Sequence, residues 1–175
     1  MVKGVIFDMD GLMFDTERLW DKMWEPACKA LGLPLPEDLA AFSASCRGLA
    51  GDNLRSQVAK YIPGDPQRLL DKVWQMADER FAQGVPCKKG LKELLTALDD
   101  RGMPRIVASS SPRTMIEMNL QNTGTARYFH DVVSGTEVKH SKPAPDTFLL
   151  AAEKLHLDPK DCLVLEDSFI GVRAG

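Results

Sequence analysis

The sequence predicts an α/β protein: a parallel sheet covered by helices on both faces, with a helical segment inserted early in the chain. Four short apolar runs, Val5 to Phe7, Ile106 to Ala108, Val132 to Val133 and Leu163 to Leu165, each give way to polar or small residues, as buried strands do. Segments of helical period lie between them, and strands alternating with helices favour a parallel sheet. The first run ends at Phe7 and the second starts at Ile106. Strand–helix–strand units commonly close in about 30 residues, so extra structure must sit between these two runs.

Along the chain, the surplus follows the first strand. Phe14 to Val85 is poor in strand signals. Leu19, Met23, Ala27 and Leu31 recur at i+4 steps, and Leu69, Val73, Met76 and Ala77 repeat the pattern, with Gly32, Pro34, Pro36, Pro63, Gly64 and Pro66 as breaks. This predicts a helical cap over residues 14–85, on hinges near Phe14 to Asp15 and Gln83 to Pro86, and a discontinuous core made of residues 1–13 and 86–175. Leu91, Leu94, Leu95 and Leu98 then mark a helix from about Lys89 to Arg101, closed by Gly102. It leads into the second strand. Ser111-Pro112 predicts an N-cap with proline at the first helical position, opening a helix that carries Met115, Ile116 and Leu120. After the third strand, Phe148, Leu149, Ala152 and Leu155 form another apolar stripe before the fourth.

Composition narrows the function classes. The 175 residues are 44% hydrophobic and 27% charged, near globular averages, which excludes collagen-like, disordered and membrane-embedded chains. Lys+Arg 22 against Asp+Glu 25 leaves a net charge of -3, with no basic excess to grip nucleic acid phosphates. No apolar run approaches the roughly 18 residues of a membrane-spanning helix. Acidic residues appear by Asp8, too early for a signal-peptide apolar region. Cys28, Cys46, Cys87 and Cys162 form no CxxC pair or dense framework, as expected of reduced thiols in the cytoplasm. His130, His140 and His156 lack mutual metal-ligand spacing and read as surface or packing residues, while Trp20, Trp24 and Trp74 all fall in the insertion. Their first reading is core or cap-interface packing, with Trp20 placed to line a pocket.

The chemistry gathers at the strand ends. Asp8-Met9-Asp10-Gly11 puts two carboxylates directly after the first strand, at the edge where parallel sheets hold ligands. Alone it also serves as a turn. Two carboxylates this close repel, and a hard divalent cation such as Mg²⁺ would compensate them with oxygen ligands. Ser109-Ser110-Ser111 follows the second strand and opens a helix whose N-terminus favours anions. Taken alone it is an ordinary helix cap. His140-Ser141-Lys142-Pro143-Ala144-Pro145 brings a lysine in a stiff turn after the third strand, and Glu166-Asp167-Ser168 supplies two more carboxylates after the fourth. Each alone has a plain structural use. Together they describe a site for a phosphate ester and a magnesium ion, with donors and a lysine for phosphate oxygens and a carboxylate to attack phosphorus. No P-loop pattern occurs.

These residues resemble the haloacid dehalogenase-like hydrolases, in the branch of sugar phosphatases and β-phosphoglucomutases with a helical cap and a Rossmann-like core. The resemblance rests on four motifs in order: Asp8-Met9-Asp10-Gly11-Leu12-Met13-Phe14-Asp15-Thr16-Glu17, Ser109, Lys142-Pro143-Ala144-Pro145-Asp146 and Glu166-Asp167-Ser168. It implies a Mg²⁺-dependent phosphatase acting on a small phosphorylated metabolite. Asp8 would be the nucleophile that becomes an aspartyl-phosphate, and Asp10 the general acid and then base. Ser109, with Ser110 beside it, and Lys142 would hold the transferring phosphoryl group. Asp8, the main-chain carbonyl of Asp10, and Asp167 would bind Mg²⁺, with Glu166 in support. The second aspartate separates phosphoryl transfer from dehalogenation, which has no leaving-group oxygen to protonate. Arg47-Gly48 resembles the cap segment that closes over the leaving group, and alone reads as an interhelical turn. The mutase branch carries histidine and arginine where this chain has Trp20 and Gly51, which disfavours the alternative of a hexose-phosphate mutase. The family continues past Gly171 to Gly175 with more helix, another strand and a terminal helix. The fourth strand is therefore expected as an uncovered edge inviting self-association, and a non-catalytic fragment is a further alternative.

Overall fold

The computed structural model describes residues 1–175 apart from the side chains of Glu17 and Arg18, so the end of the first motif, at Glu17, lies outside the described side chains. Four parallel strands form one sheet: β1 (Gly4–Phe7), β2 (Arg105–Ser109), β3 (Val132–Ser134) and β4 (Cys162–Leu165), in the order β3-β2-β1-β4. All four expected strands are present, each longer by one or two residues than its apolar run. The chemistry-bearing ends of all four lie along the same edge because every pairing is parallel.

Strand period two sorts the side chains to the two faces. Val5, Phe7, Val107 and Val132 pack on one face with Leu91 and Leu95 of α6 (Leu91–Asp99) and Met115, Ile116 and Leu120 of α7 (Arg113–Asn122). Ile6, Ile106, Ala108 and Val133 pack on the other, against Phe148, Ala151 and Ala152 of α8 (Asp146–Lys154) and Ala174 of α9 (Phe169–Ala174). Helix α6 is closed as expected. Gly102 takes φ 58°, and Met103 N–H reaches back to the Leu98 carbonyl at 2.9 Å.

Between β1 and α6 run α1 (Glu17–Asp21), α2 (Trp24–Leu31), α3 (Leu39–Cys46), α4 (Gly51–Tyr61) and α5 (Pro66–Phe81). They have a core of their own, including Trp24, Ala27, Phe42, Val58, Leu69 and Val73. Asp38 accepts from Ala41 N–H and Asp65 from Gln67 N–H, capping α3 and α5. Phe14 makes isolated bridges with Asp10 and Cys87, and Asp15 N–H donates to the Pro86 carbonyl, so both ends of the insertion leave the core side by side.

The Leu19 to Leu31 stripe runs over two helices, because Pro26 has no N–H and its ring would meet the Lys22 carbonyl if one helix continued through. Two expectations need correcting. Helix α7 is capped at Pro112, since the Ser111 hydroxyl is turned instead to Asp10. Leu149 of the α8 stripe is 47% exposed, because that helix buries Thr147, Phe148, Ala151 and Ala152. Strand β4 is a sheet edge, and Leu163 on it is 44% exposed.

Candidate active site

The loop after β1 begins with Asp8, whose side chain is buried against the other strand ends. Its backbone N–H still pairs with the Leu165 carbonyl of β4, which fixes where the carboxylate starts. Lys142, from the turn between β3 and α8, is 1% exposed and donates to Asp8 Oδ1 at 2.6 Å and to Glu166 Oε2 at 2.7 Å. Such a buried cation persists only when paired. Its ammonium also lies 4.6 Å from the centre of the Phe148 ring. Burial works against the Lys142 charge, but the Asp8 and Glu166 carboxylates outweigh it and hold its pKa above the ordinary value.

Asp8 is pushed up to about 7, chiefly by burial; the neighbouring carboxylates Glu166 and Asp10 push the same way and Lys142 opposes. One lysine does not fully compensate the charge. The other oxygen of Glu166 accepts from Ser168 N–H at 2.9 Å and from the Ser168 hydroxyl at 2.8 Å, so this carboxylate ties Lys142 to the start of α9. Gly171 makes room for it: a Cβ there would overlap the Glu166 carboxylate. Carboxylate oxygens of Asp8, Glu166 and Asp167 can all lie within 4.8 Å of one another, a set of hard donors able to hold a divalent cation.

Asp10 stands beside this cluster. Its Oδ2 accepts from the hydroxyls of Ser109 at 3.1 Å and Ser111 at 2.8 Å, and its Oδ1 from the Trp20 indole N–H at 3.4 Å. Ser109 in turn accepts from Ser111 N–H. Ser110 lies at the same cavity, but its hydroxyl donates to the Gly48 carbonyl at 2.8 Å, and Ser141 donates to the Ala50 carbonyl at 3.0 Å. These two bonds fasten the 47–51 segment to the sheet edge. Arg47 pairs with Asp21 at 2.9 Å, and Asp21 also accepts from Ser43 at 2.6 Å.

A cavity of about 120 Å³ lies between the strand ends and the inserted helices. It brings together Asp8, Asp10, Ser109, Ser110, Arg47, Gly48 and Glu166. Lys142 sits directly behind Asp8 rather than on the cavity wall, and Asp167 joins through the acidic cluster. Sequence reasoning missed Ser111, Thr136, Ser43 and Trp74 as wall residues. Ser111 carried a signal, a third hydroxyl in the same run, that the capping pattern absorbed. Cys46 also lines the cavity, but burial pushes its thiol up to about 12, which leaves it a poor nucleophile.

The haloacid dehalogenase-like hydrolase family model matches residues 2–175. Fructose-1-phosphate phosphatase YqaB of Escherichia coli is 31% identical over 98% of this chain and 89% of its own length. A phosphorylated carbohydrates phosphatase of Thermotoga maritima is 28% identical over 99% of this chain and 80% of its own. Among solved structures, CbbY of Rhodobacter sphaeroides in complex with xylulose-1,5-bisphosphate has a TM-score of 0.85 at 22% identity, covering 99% of this chain and 81% of that one, a likeness of fold. With four motifs delivered to one sheet edge by one parallel sheet, and with a match along nearly its whole length, this chain belongs to the haloacid dehalogenase-like hydrolases.

Proposed function

We propose that this chain is a Mg²⁺-dependent phosphatase that hydrolyses a small phosphomonoester, a sugar phosphate or nucleotide-like monophosphate, through an aspartyl-phosphate on Asp8. The observation that carries the reading is the buried Lys142 held between Asp8 and Glu166, directly behind a cavity whose wall includes Asp8, Asp10 and Glu166. Relatives named as phosphatases support it.

An Asp8 oxygen attacks phosphorus while the bond from phosphorus to the alcohol oxygen breaks, and Asp10 gives that oxygen its proton. Asp10 then takes a proton from water as the water attacks phosphorus, and the Asp8–phosphorus bond breaks to release phosphate. Lys142 holds Asp8 in place and offsets charge at the phosphoryl group, and the Ser109 hydroxyl is close enough to Asp10 to turn to a phosphoryl oxygen. The donor set fits Mg²⁺: several hard oxygens crowd together and burial leaves Asp8 short of positive charge. Asp8, Asp167 and the Asp10 main-chain carbonyl would hold the ion, with Glu166 in support. When bound, it would neutralise the carboxylates and the phosphoryl oxygens.

Residues 14–85 act in this reading as a cap, and Arg47 and Gly48 close it over the leaving group. Closure excludes water during the first step. Trp20, whose indole meets Asp10, and Gly51 stand where the mutase branch resembled above has histidine and arginine, which favours hydrolysis over mutase chemistry. Among the described residues no helix is long and apolar enough to cross a membrane. Four free cysteines support a cytoplasmic setting.

Phosphate release from a panel of phosphomonoesters, with Mg²⁺ and with a chelator, tests the reading. Release that requires Mg²⁺ is expected. No release from any ester, or release indifferent to chelation, overturns it.

A further inference from the structure

Three donors reach the Asp10 carboxylate from different parts of the fold. The hydroxyls of Ser109 and Ser111 donate to its Oδ2 at 3.1 and 2.8 Å, and the Trp20 indole to its Oδ1 at 3.4 Å. In the phosphatase reading Ser109 turns to a phosphoryl oxygen, and Trp20 belongs to α1 of the inserted helices, which move as the cap closes. Ser111 makes the shortest of the three bonds and belongs to the core. It does so in place of capping α7, which has no side-chain cap. Its backbone is held on both sides: the Ser111 N–H donates to the Ser109 hydroxyl at 3.0 Å, and its carbonyl accepts from the Ser134 hydroxyl at 2.7 Å. Ser134 ends β3, is fully buried, and stands in register with Ser109 of β2. Its hydroxyl also meets the Thr136 hydroxyl at 2.8 Å and accepts from Thr136 N–H at 3.2 Å.

Resting on the phosphatase reading, we propose that Ser111 is a positioning residue for Asp10 and that Ser134 acts through it. This chain of hydroxyls, anchored in the sheet, fixes where the Asp10 carboxyl points, so that its proton meets the alcohol oxygen as the bond from that oxygen to phosphorus breaks. A general acid works only within hydrogen-bond reach of the atom it protonates, and a displacement of about 1 Å can cost about a hundredfold in rate. A hydroxyl can donate to a carboxylate or accept from a carboxylic acid, so Ser111 keeps its hold on Asp10 before and after the proton leaves. Ser111 and Thr136 reach the cavity wall, while Ser134 lies behind them, so an effect of Ser134 on turnover cannot come from touching the substrate.

The test compares two esters whose rings are of similar size. Benzyl phosphate releases an alcohol that needs the Asp10 proton, and 4-nitrophenyl phosphate releases a phenolate that leaves without it. The ratio of kcat/KM between them therefore reads how well Asp10 is placed. Ser111→Ala is expected to lower kcat/KM by about tenfold or more on benzyl phosphate and far less on 4-nitrophenyl phosphate, and Ser111→Thr, which keeps the hydroxyl, to restore most of the ratio. Ser134→Ala is expected to show the same pattern at a smaller size. In an Asp10→Asn background, adding Ser111→Ala should cost little more on benzyl phosphate, because the two residues act as a unit. Equal fractional losses on the two esters in both alanine variants, or an undiminished Ser111→Ala loss in Asp10→Asn, overturns the inference, while turnover by the wild type leaves the phosphatase reading standing. Failure of the wild type to release phosphate from either ester, or from any of the wider panel, removes the phosphatase reading and this inference with it.

Discussion

Lys142 is 2.6 Å from Asp8 and 2.7 Å from Glu166, so a single buried ammonium is shared by carboxylates from the ends of neighbouring strands β1 and β4. Removing it strands two buried negative groups. Lys142→Met is expected to cost about 3–5 kcal/mol of stability, the usual cost of breaking a buried pair, and to abolish turnover. Urea unfolding of the two proteins in chelator, with phosphate release beside it, checks both. Unchanged stability would show that the lysine is not needed to hold these carboxylates.

Gly171 and Glu166 give a second expectation, because a methyl on Gly171 would overlap the Glu166 carboxylate. Gly171→Ala should lose about 1–3 kcal/mol, as overpacked sites do, and should lower turnover by displacing the partner of Lys142. The double variant with Glu166→Ala relieves the overlap, so its stability loss should be smaller than the sum of the two single losses. Additive losses in thermal melts would contradict the contact.

Burial raises Asp8, so the sign of its pH effect is fixed. Its contribution to stability is full below the ordinary carboxylate pKa and is lost as pH rises through about 7. In chelator, the wild type minus Asp8→Asn stability difference should therefore fall between pH 4 and 8. Mg²⁺ should stabilise the wild type more at pH 8 than at pH 5, and stabilise Asp8→Asn less. Denaturant titrations at several pH values check this, and a Mg²⁺ gain independent of pH would count against Asp8 as a ligand.

Ser141 donates to Ala50 across the gap between the sheet edge and the inserted helices. Ser141→Ala removes about 1 kcal/mol of that attachment, so the 47–51 amides should exchange hydrogen faster and kcat/KM should fall severalfold. Exchange measured by mass spectrometry reads the first effect directly. Protection unchanged in 47–51 would mean that this bond does not hold the segment down.

How much of this was legible in the sequence depends on the residue. The strands were visible because runs such as Val5 to Phe7 are apolar throughout, as strands buried on both faces must be; Asp8 and Glu166 stand directly after β1 and β4, and Lys142 in the turn between β3 and α8. The i+4 spacing of Leu19 to Leu31 showed helix but not where one helix stops and the next starts, because spacing does not register the break that Pro26 imposes. Ser111 was assigned to a cap because Ser-Pro fits that local pattern equally well. Its real partner, Asp10, is 101 residues away in sequence. Trp74 looked like packing because a helix position facing a cavity and one facing a core share the same period. Only the tertiary arrangement separates them.

Turnover by Asp8→Asn bears on the aspartyl-phosphate route with the fewest intervening assumptions. The substitution keeps nearly the same volume but replaces the attacking carboxylate with a poor nucleophile and weaker metal ligand. A folded Asp8→Asn protein, shown by circular dichroism and saturated with Mg²⁺, is expected to release no phosphate above background from any ester that the wild type hydrolyses. Phosphate release by that variant near the wild-type rate, with contaminating phosphatase excluded, would contradict nucleophilic attack by Asp8.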